Sequence, residues 1–220
     1  GRNRNVIKLM KYLKRSAGYI VLIIALLFLQ AYCDLSLPNY TSNIINVGIQ
    51  QNGIEDSVPE KIRKTSMDSL KLFMEEDDAK TVDGFYEEEG DDLVLKDKIS
   101  KEDREELNDI FGKPMVIVST LMSDSEESKA ALAKMGIPEG TDPLAGLSQM
   151  PAEALAAMKD QVGEKIDKMQ ESIITQAGVS YVRAEYEAMG EDVDAIQMDY
   201  MKATGIRMVL MALVTMMAAV

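Results

Sequence analysis

The chain of 220 residues contains no histidine, no tryptophan and a single cysteine, Cys33. One cysteine excludes disulfide bonds within the chain, and the lack of histidine excludes imidazole metal sites and the catalytic dyads and triads that need this residue. Acidic runs such as Glu75–Asp78 and Glu87–Glu89 lack the spacing of an EF-hand calcium loop. We interpret them as solvated surfaces.

Basic residues are absent between positions 16 and 60. Before position 60 all of them lie in the first fifteen positions, whereas all 37 acidic residues lie at or after Asp34. Between Glu55 and Asp199 there are 36 acidic and 16 basic side chains, so this segment carries a net charge of −20. Such a surface repels phosphate backbones, and nucleic acid is therefore not expected as a partner.

One segment near the start lacks charge altogether. No residue from Ser16 to Cys33 is charged, and Tyr19–Leu29 is apolar on every face of a helix. A helix of this kind belongs in lipid or in a large core, and the basic residues before it favour a cytoplasmic flank. A cleaved signal peptide is the alternative, but Tyr32 stands where cleavage requires a small residue. We expect a membrane-spanning helix with the residues before Lys14 in the cytoplasm.

These patterns divide the chain into four regions. Residues 1–15 are expected to form an amphipathic cytoplasmic helix, and residues 16–54 the first transmembrane helix with its extracellular extension. Residues 55–199 are expected to form an acidic extracytoplasmic domain, and residues 200–220 the start of a second transmembrane helix. Its uncharged run, Met208–Val220, is too short to span a bilayer alone, so we expect the native polypeptide to continue.

Local patterns predict helices and one hairpin in the acidic domain. Ser57-Val58-Pro59-Glu60 resembles a capping box and predicts a helix of about five turns. Thr81–Tyr86 and Leu93–Lys96 flank a glycine-containing turn and predict a β-hairpin. Ser100 is expected to cap a helix that stops at Gly112.

The second half of this domain has fewer strand signals. Met115–Val118 fits a helix or a strand equally well, and the Gly- and Pro-rich residues 136–146 predict a loop. Helical periodicity resumes at Ala152, and Gly178 and Gly190 are expected to interrupt or end helices. The predicted fold class is mostly α: a fragment of a polytopic membrane protein with an inserted, mainly helical extracytoplasmic domain that carries a small β-hairpin.

Two segments resemble a known family. Residues Ala31–Ile49, AYCDLSLPNYTSNIINVGI, resemble the outer half of the first transmembrane helix of multidrug-type ABC exporters, in which a Leu-rich helix is followed by Pro and an Ile-Ile-Asp/Asn-x-Gly-Ile ending. Glu185–Gly190 and Ile196–Gly205 resemble the segment that leads into the second transmembrane helix of a bacterial subgroup with a large domain between the first two helices. The long insertion departs from ordinary family members.

The resemblance implies a half-transporter with six membrane helices and a cytoplasmic ATPase domain that uses ATP and Mg²⁺. It also implies a dimer with a second half-transporter, identical or different, that exports an unidentified substrate across the cell membrane. The chain has no Gly-x-x-x-x-Gly-Lys-Ser/Thr, so it offers no catalytic, cofactor-binding or metal-binding residue to assign.

Asp34 and Pro38 are the candidate translocation-pathway residues. A helix that lines a cavity tolerates both a proline and a carboxylate at membrane depth. The alternative is that Asp34 is a solvated residue at the outer membrane boundary.

A membrane receptor is the alternative function, because sensor kinases and chemoreceptors share the plan of helix, extracytoplasmic domain, helix. Pro38 favours the exporter, since a receptor's first helix usually signals as a continuous rod and a proline would break its ladder of backbone hydrogen bonds.

Overall fold

The computed structural model describes residues 2–123, 125–134, 137, 143, 146 and 152–218. The chain folds into two compact units. The terminal unit comprises Gly1–Gly53 and Gln197–Val220, and the inserted unit comprises Ile54–Ile196.

The described residues are mostly helical, with one small antiparallel sheet of strand order β1-β3-β2. In chain order the elements are α1 (Arg2–Asn43), a π-helix (Ile44–Gln50), β1 (Lys61–Arg63), α2 (Lys64–Lys71), α3 (Glu76–Phe85), β2 (Tyr86–Glu89), β3 (Asp92–Leu95), α4 (Lys101–Met122), α5 (Glu126–Lys134), α6 (Ala152–Ile166), α7 (Glu171–Met189) and α8 (Val193–Ala218).

Two segments are long and apolar enough to cross a membrane, Ala17–Gln50 and Val193–Ala218. Nearly all of their apolar surface is uncovered, as the large exposed side chains of Leu22, Phe28 and Leu210 illustrate. Helix α1 includes residues 2–15, the described part of the region expected to form an amphipathic cytoplasmic helix, and continues without a break into the apolar segment.

Several local predictions for the inserted unit are confirmed. Ser100 caps α4 in a capping box whose second member is Asp103. The hairpin forms between β2 and β3, although its first strand starts at Tyr86 because residues 81–85 still belong to α3. Helix α6 begins at Ala152. Gly190 ends α7 with φ 79°, a left-handed conformation that favours glycine.

The prediction of a helix that starts at Ser57 is wrong. Residues Lys61–Arg63 instead form β1, which pairs antiparallel with β3, and α2 starts only at Lys64. The backbone N–H groups of Glu60 and Arg63 donate to side chains of α7 rather than to helical carbonyls. Tertiary hydrogen bonds therefore override the local capping signal.

Two glycines expected to end or interrupt helices lie inside them. Helix α4 continues past Gly112 to Met122, so the Met115–Val118 run is helical, and α7 continues through Gly178. A Cβ at Gly112 would lie 2.8 Å from Ile174 Cγ2, and one at Gly178 would lie 2.0 Å from Ser57 Oγ. Both glycines thus allow close packing of neighbouring segments. The predicted loop 136–146 lies outside the described residues, apart from positions 137, 143 and 146.

The core of the inserted unit is apolar, and its buried side chains come from helices and strands throughout the described part of the unit. Its largest fully buried side chains include Ile62, Met67, Leu107, Phe111 and Val182. Phe111 makes an edge-to-face contact with Tyr86, with ring centroids 6.0 Å apart. Burying a side chain of this size stabilises the fold by about 1.5–3 kcal/mol.

The beginning and the end of the inserted unit are joined by a set of polar bonds, which we name the closing contact. Glu185 of α7 accepts hydrogen bonds from Arg63 N, Nε and Nη2 at 2.7–3.0 Å. Tyr186 Oη accepts from the Glu60 N–H at 2.8 Å. Lys61 Nζ lies 3.5 Å from Glu191 Oε1. Strand β1 is thereby fixed to the last helix of the unit.

Glu185 is the most enclosed charge in this contact, with a side chain 4% exposed. Burial alone would raise the pKa of its carboxyl, but the bonds from Arg63 and Ser66 outweigh burial and hold the pKa below its ordinary value. The carboxylate is therefore ionised at neutral pH and fully bonded.

We predict that Glu185→Gln destabilises the inserted unit. Loss of one partner from a fully buried ion pair costs about 3–5 kcal/mol. We expect about 2 kcal/mol here, because the Arg63 side chain is 43% exposed and solvent screens its charge. Denaturant unfolding of a polypeptide of residues 54–196 measures the difference, with the exposed Glu187→Gln as the matched control.

The difference in stability between the inserted unit and its Glu185→Gln variant should depend on pH. Because the pKa of Glu185 is lower in the folded chain than in the unfolded chain, its contribution is complete above about pH 4.3, the ordinary glutamate value. The contribution is lost as the pH falls through the folded pKa, so the two proteins should converge in stability in acid. A difference that grows on acidification would contradict this assignment.

Candidate functional site

Asp34 and Pro38, the residues singled out in the sequence, lie on one face of α1. They are four residues apart, so both point in nearly the same direction, and both are exposed. Pro38 has no N–H group, and the carbonyl of Asp34 therefore lacks its usual helical donor. Asp34 therefore brings to this face both a carboxylate and a backbone carbonyl without its helical N–H donor.

A neighbouring face of α1 contacts α8. Cys33, which is 1% exposed, donates from Sγ to Met211 Sδ at 3.6 Å. Two turns further along, Thr41 Oγ1 lies 3.9 Å from Met208 Sδ. The sulfur atoms of Met208 and Met211 therefore face α1, whereas Asp34 lies on an exposed face.

The junction between α1 and α8 lies at the π-helix Ile44–Gln50. Gln197 Nε2 donates to the carbonyl oxygen of Gly48 at 2.7 Å. A Cβ at Gly48 would lie 3.1 Å from Met201 Cγ, so a larger residue would press on α8. The wide turn of the π-helix and the missing side chain at Gly48 together bring this carbonyl within reach of α8.

The inserted unit has a groove of about 700 Å³ between α2, α4 and α7. Its floor contains the Arg63–Glu185 pair, and its walls carry hydroxyl groups and small apolar side chains. The lining residues are Arg63, Thr65, Ser66, Ser69, Ser119, Met122, Ala177, Ser180, Tyr181, Ala184, Glu185 and Ala188. No local spacing in the sequence predicts this groove, because its lining comes from β1 and three separate helices.

A partly buried tyrosine, Tyr181, lines the groove, and a buried one, Tyr186, belongs to the closing contact. Burial raises the pKa of Tyr181, which lines the groove, to about 12, and burial likewise raises the pKa of Tyr186 to about 12. Both hydroxyl groups remain protonated at neutral pH. They therefore serve as neutral hydrogen-bonding groups rather than as acids or bases.

In the part of the chain that the structure describes, no group of three or more His, Cys, Asp or Glu side chains is arranged to hold a metal ion. No family model, curated protein or solved structure matches the chain. The candidate sites therefore stand on their own geometry: the exposed Asp34–Pro38 face of α1 and the groove of the inserted unit.

The contact between Cys33 and Met211 predicts a specific cross-link. Cysteine at position 211 should react with Cys33 through a short bifunctional thiol reagent, because the two positions face each other across α1 and α8. Mass spectrometry of the intact chain in detergent measures the loss of both thiols. Met217→Cys, on the same helix but 80% exposed, is the matched control and should cross-link poorly. Equal cross-linking of both variants would contradict the helix pairing.

Proposed function

We propose that the chain is the amino-terminal transmembrane part of an ATP-driven ABC exporter that moves a substrate across the cytoplasmic membrane. In this proposal α1 and α8 are the first two transmembrane helices, the amino terminus is cytoplasmic and the inserted unit lies outside the cell. ATP, Mg²⁺ and a second half-transporter belong to the complete protein.

The observation that carries the proposal is the position of the family-like motif. Ile44-Ile45-Asn46-Val47-Gly48-Ile49 falls on the π-helix, and its glycine carbonyl accepts the bond from Gln197. Gln197 lies in the second segment that resembles the family. The two family-like segments thus meet where the first long apolar helix ends and the second begins.

The charge distribution supports the proposed orientation. Six basic side chains precede the first apolar segment, and the inserted unit is strongly acidic. Basic residues flank membrane helices on the cytoplasmic side, which favours the amino terminus inside and the acidic unit outside. The apolar faces of α1 and α8 would then contact lipid and the remaining transmembrane helices.

In the complete transporter, we expect Asp34→Asn to weaken transport of cationic substrates. An ionised carboxylate that faces lipid would cost on the order of 2.5–3.5 kcal/mol, so the exposed Asp34 should face protein or a water-filled cavity. There it would favour cations. Substrate-stimulated ATP hydrolysis in proteoliposomes should fall by about tenfold, the effect of one lost charge contact of roughly 1.4 kcal/mol, while basal hydrolysis remains.

Asp194→Asn is the control, because this carboxylate is also exposed but lies at the start of α8. Unchanged transport of several cationic substrates by the Asp34→Asn transporter would indicate that Asp34 is a solvated residue at the outer membrane boundary. If the complete protein lacked four further apolar spans and a phosphate-binding loop, the membrane-receptor hypothesis would be supported instead.

A further inference from the structure

We propose that the groove between α2, α4 and α7 binds a primary amine attached to an apolar chain. This inference concerns the inserted unit alone and holds whether or not the complete protein is an exporter. It rests on the state of the hydroxyl groups that line the groove, on the compensated charge at its floor and on its apolar wall.

Three serine hydroxyl groups of the lining donate hydrogen bonds to main-chain carbonyl groups. Ser69 donates to the carbonyl of Thr65 at 2.8 Å, and Ser180 to the carbonyl of Gln176 at 2.8 Å. Ser119 donates to the carbonyl of Val116 at 3.0 Å. A hydroxyl group has one proton and two lone pairs, so each of these oxygens offers the groove acceptor sites.

The charges at the floor leave little attraction for an anion. Arg63 Nε and Nη2 both donate to Glu185, and Ser66 Oγ adds its proton to the same carboxylate at 2.9 Å. The pair is therefore neutral in sum. The surrounding inserted unit is strongly acidic, and its field draws cations toward the groove and repels carboxylates and phosphates.

The remaining wall suits an apolar chain. Ala177, Ala184 and Ala188 form the α7 side, and Met122, whose flexible side chain is 57% exposed, stands on α4. Methionine adapts its shape to apolar ligands, and a groove of about 700 Å³ is within the usual size range of small-molecule sites. An ammonium group supplies N–H donors, and the serine oxygens of the lining can accept hydrogen bonds from such donors.

The test uses hexylamine and the complete 220-residue chain in lipid nanodiscs, with binding followed by calorimetric titration. We expect saturable binding of hexylamine. Hexyltrimethylammonium has the same charge and a similar chain but no N–H donor, and it should bind about tenfold more weakly, as expected for one or two lost hydrogen bonds. Hexanoate should not bind.

Variants assign the binding to the groove. Ser180→Ala removes one acceptor and should weaken hexylamine binding by about two- to tenfold. Ala184→Leu fills the groove and should abolish saturable binding, which also corrects for partition into lipid. Thr175→Ala is the matched control, since Thr175 on the same helix donates to the Glu171 carbonyl in the same manner but does not line the groove.

Three outcomes would overturn the proposal. The first is the absence of saturable hexylamine binding. The second is equal binding of hexylamine and hexyltrimethylammonium that survives Ala184→Leu, which would indicate attraction to the acidic surface in general. The third is preferential binding of hexanoate, which would indicate a site for anions at Arg63.

Discussion

The Glu185 carboxylate is the interaction on which the inserted unit depends most. It lies on α7 and accepts three hydrogen bonds from Arg63, the last residue of β1. A domain inserted between two helices needs its chain ends close together. The closing contact meets this requirement within the unit, and its Arg63–Glu185 pair also lines the groove.

The terminal unit is governed by a different constraint, the apolar surface that α1 and α8 leave uncovered. A few polar contacts join the two helices. Cys33 contacts Met211, and the Gly48 carbonyl accepts from Gln197. In lipid, a backbone group freed by an irregular turn must find a partner, and Gln197 supplies one at the π-helix. Asp34 lies on the uncovered face, where the exporter proposal gives it a role.

Signals that act within a few residues could be predicted from the sequence. Ser100 and Asp103 cap each other's backbone groups, and Gly190 adopts a conformation that disfavours side chains. The hairpin follows from a turn at Gly90 with φ 64°. The long apolar runs predict their helices by composition alone.

Features that depend on distant residues could not be predicted. Strand β1 forms because β3 and Glu185 provide its partners, and the latter is 122 residues away from Arg63. Gly112 and Gly178 look like helix breakers, yet each is required by a neighbour that approaches too closely for a side chain. The serines of the groove are spread over three helices, so no local spacing marks them.

The location of the inserted unit is the central claim, and cysteine labelling in intact cells tests it most directly. In a Cys33→Ala background, cysteine is placed either at Ser100, in the inserted unit, or at Asn5, near the amino terminus. An impermeant thiol reagent should label the cysteine at position 100 and should leave the one at position 5 unlabelled until the cells are opened. Labelling of position 5 alone, or of neither position before the cells are opened, would contradict the account.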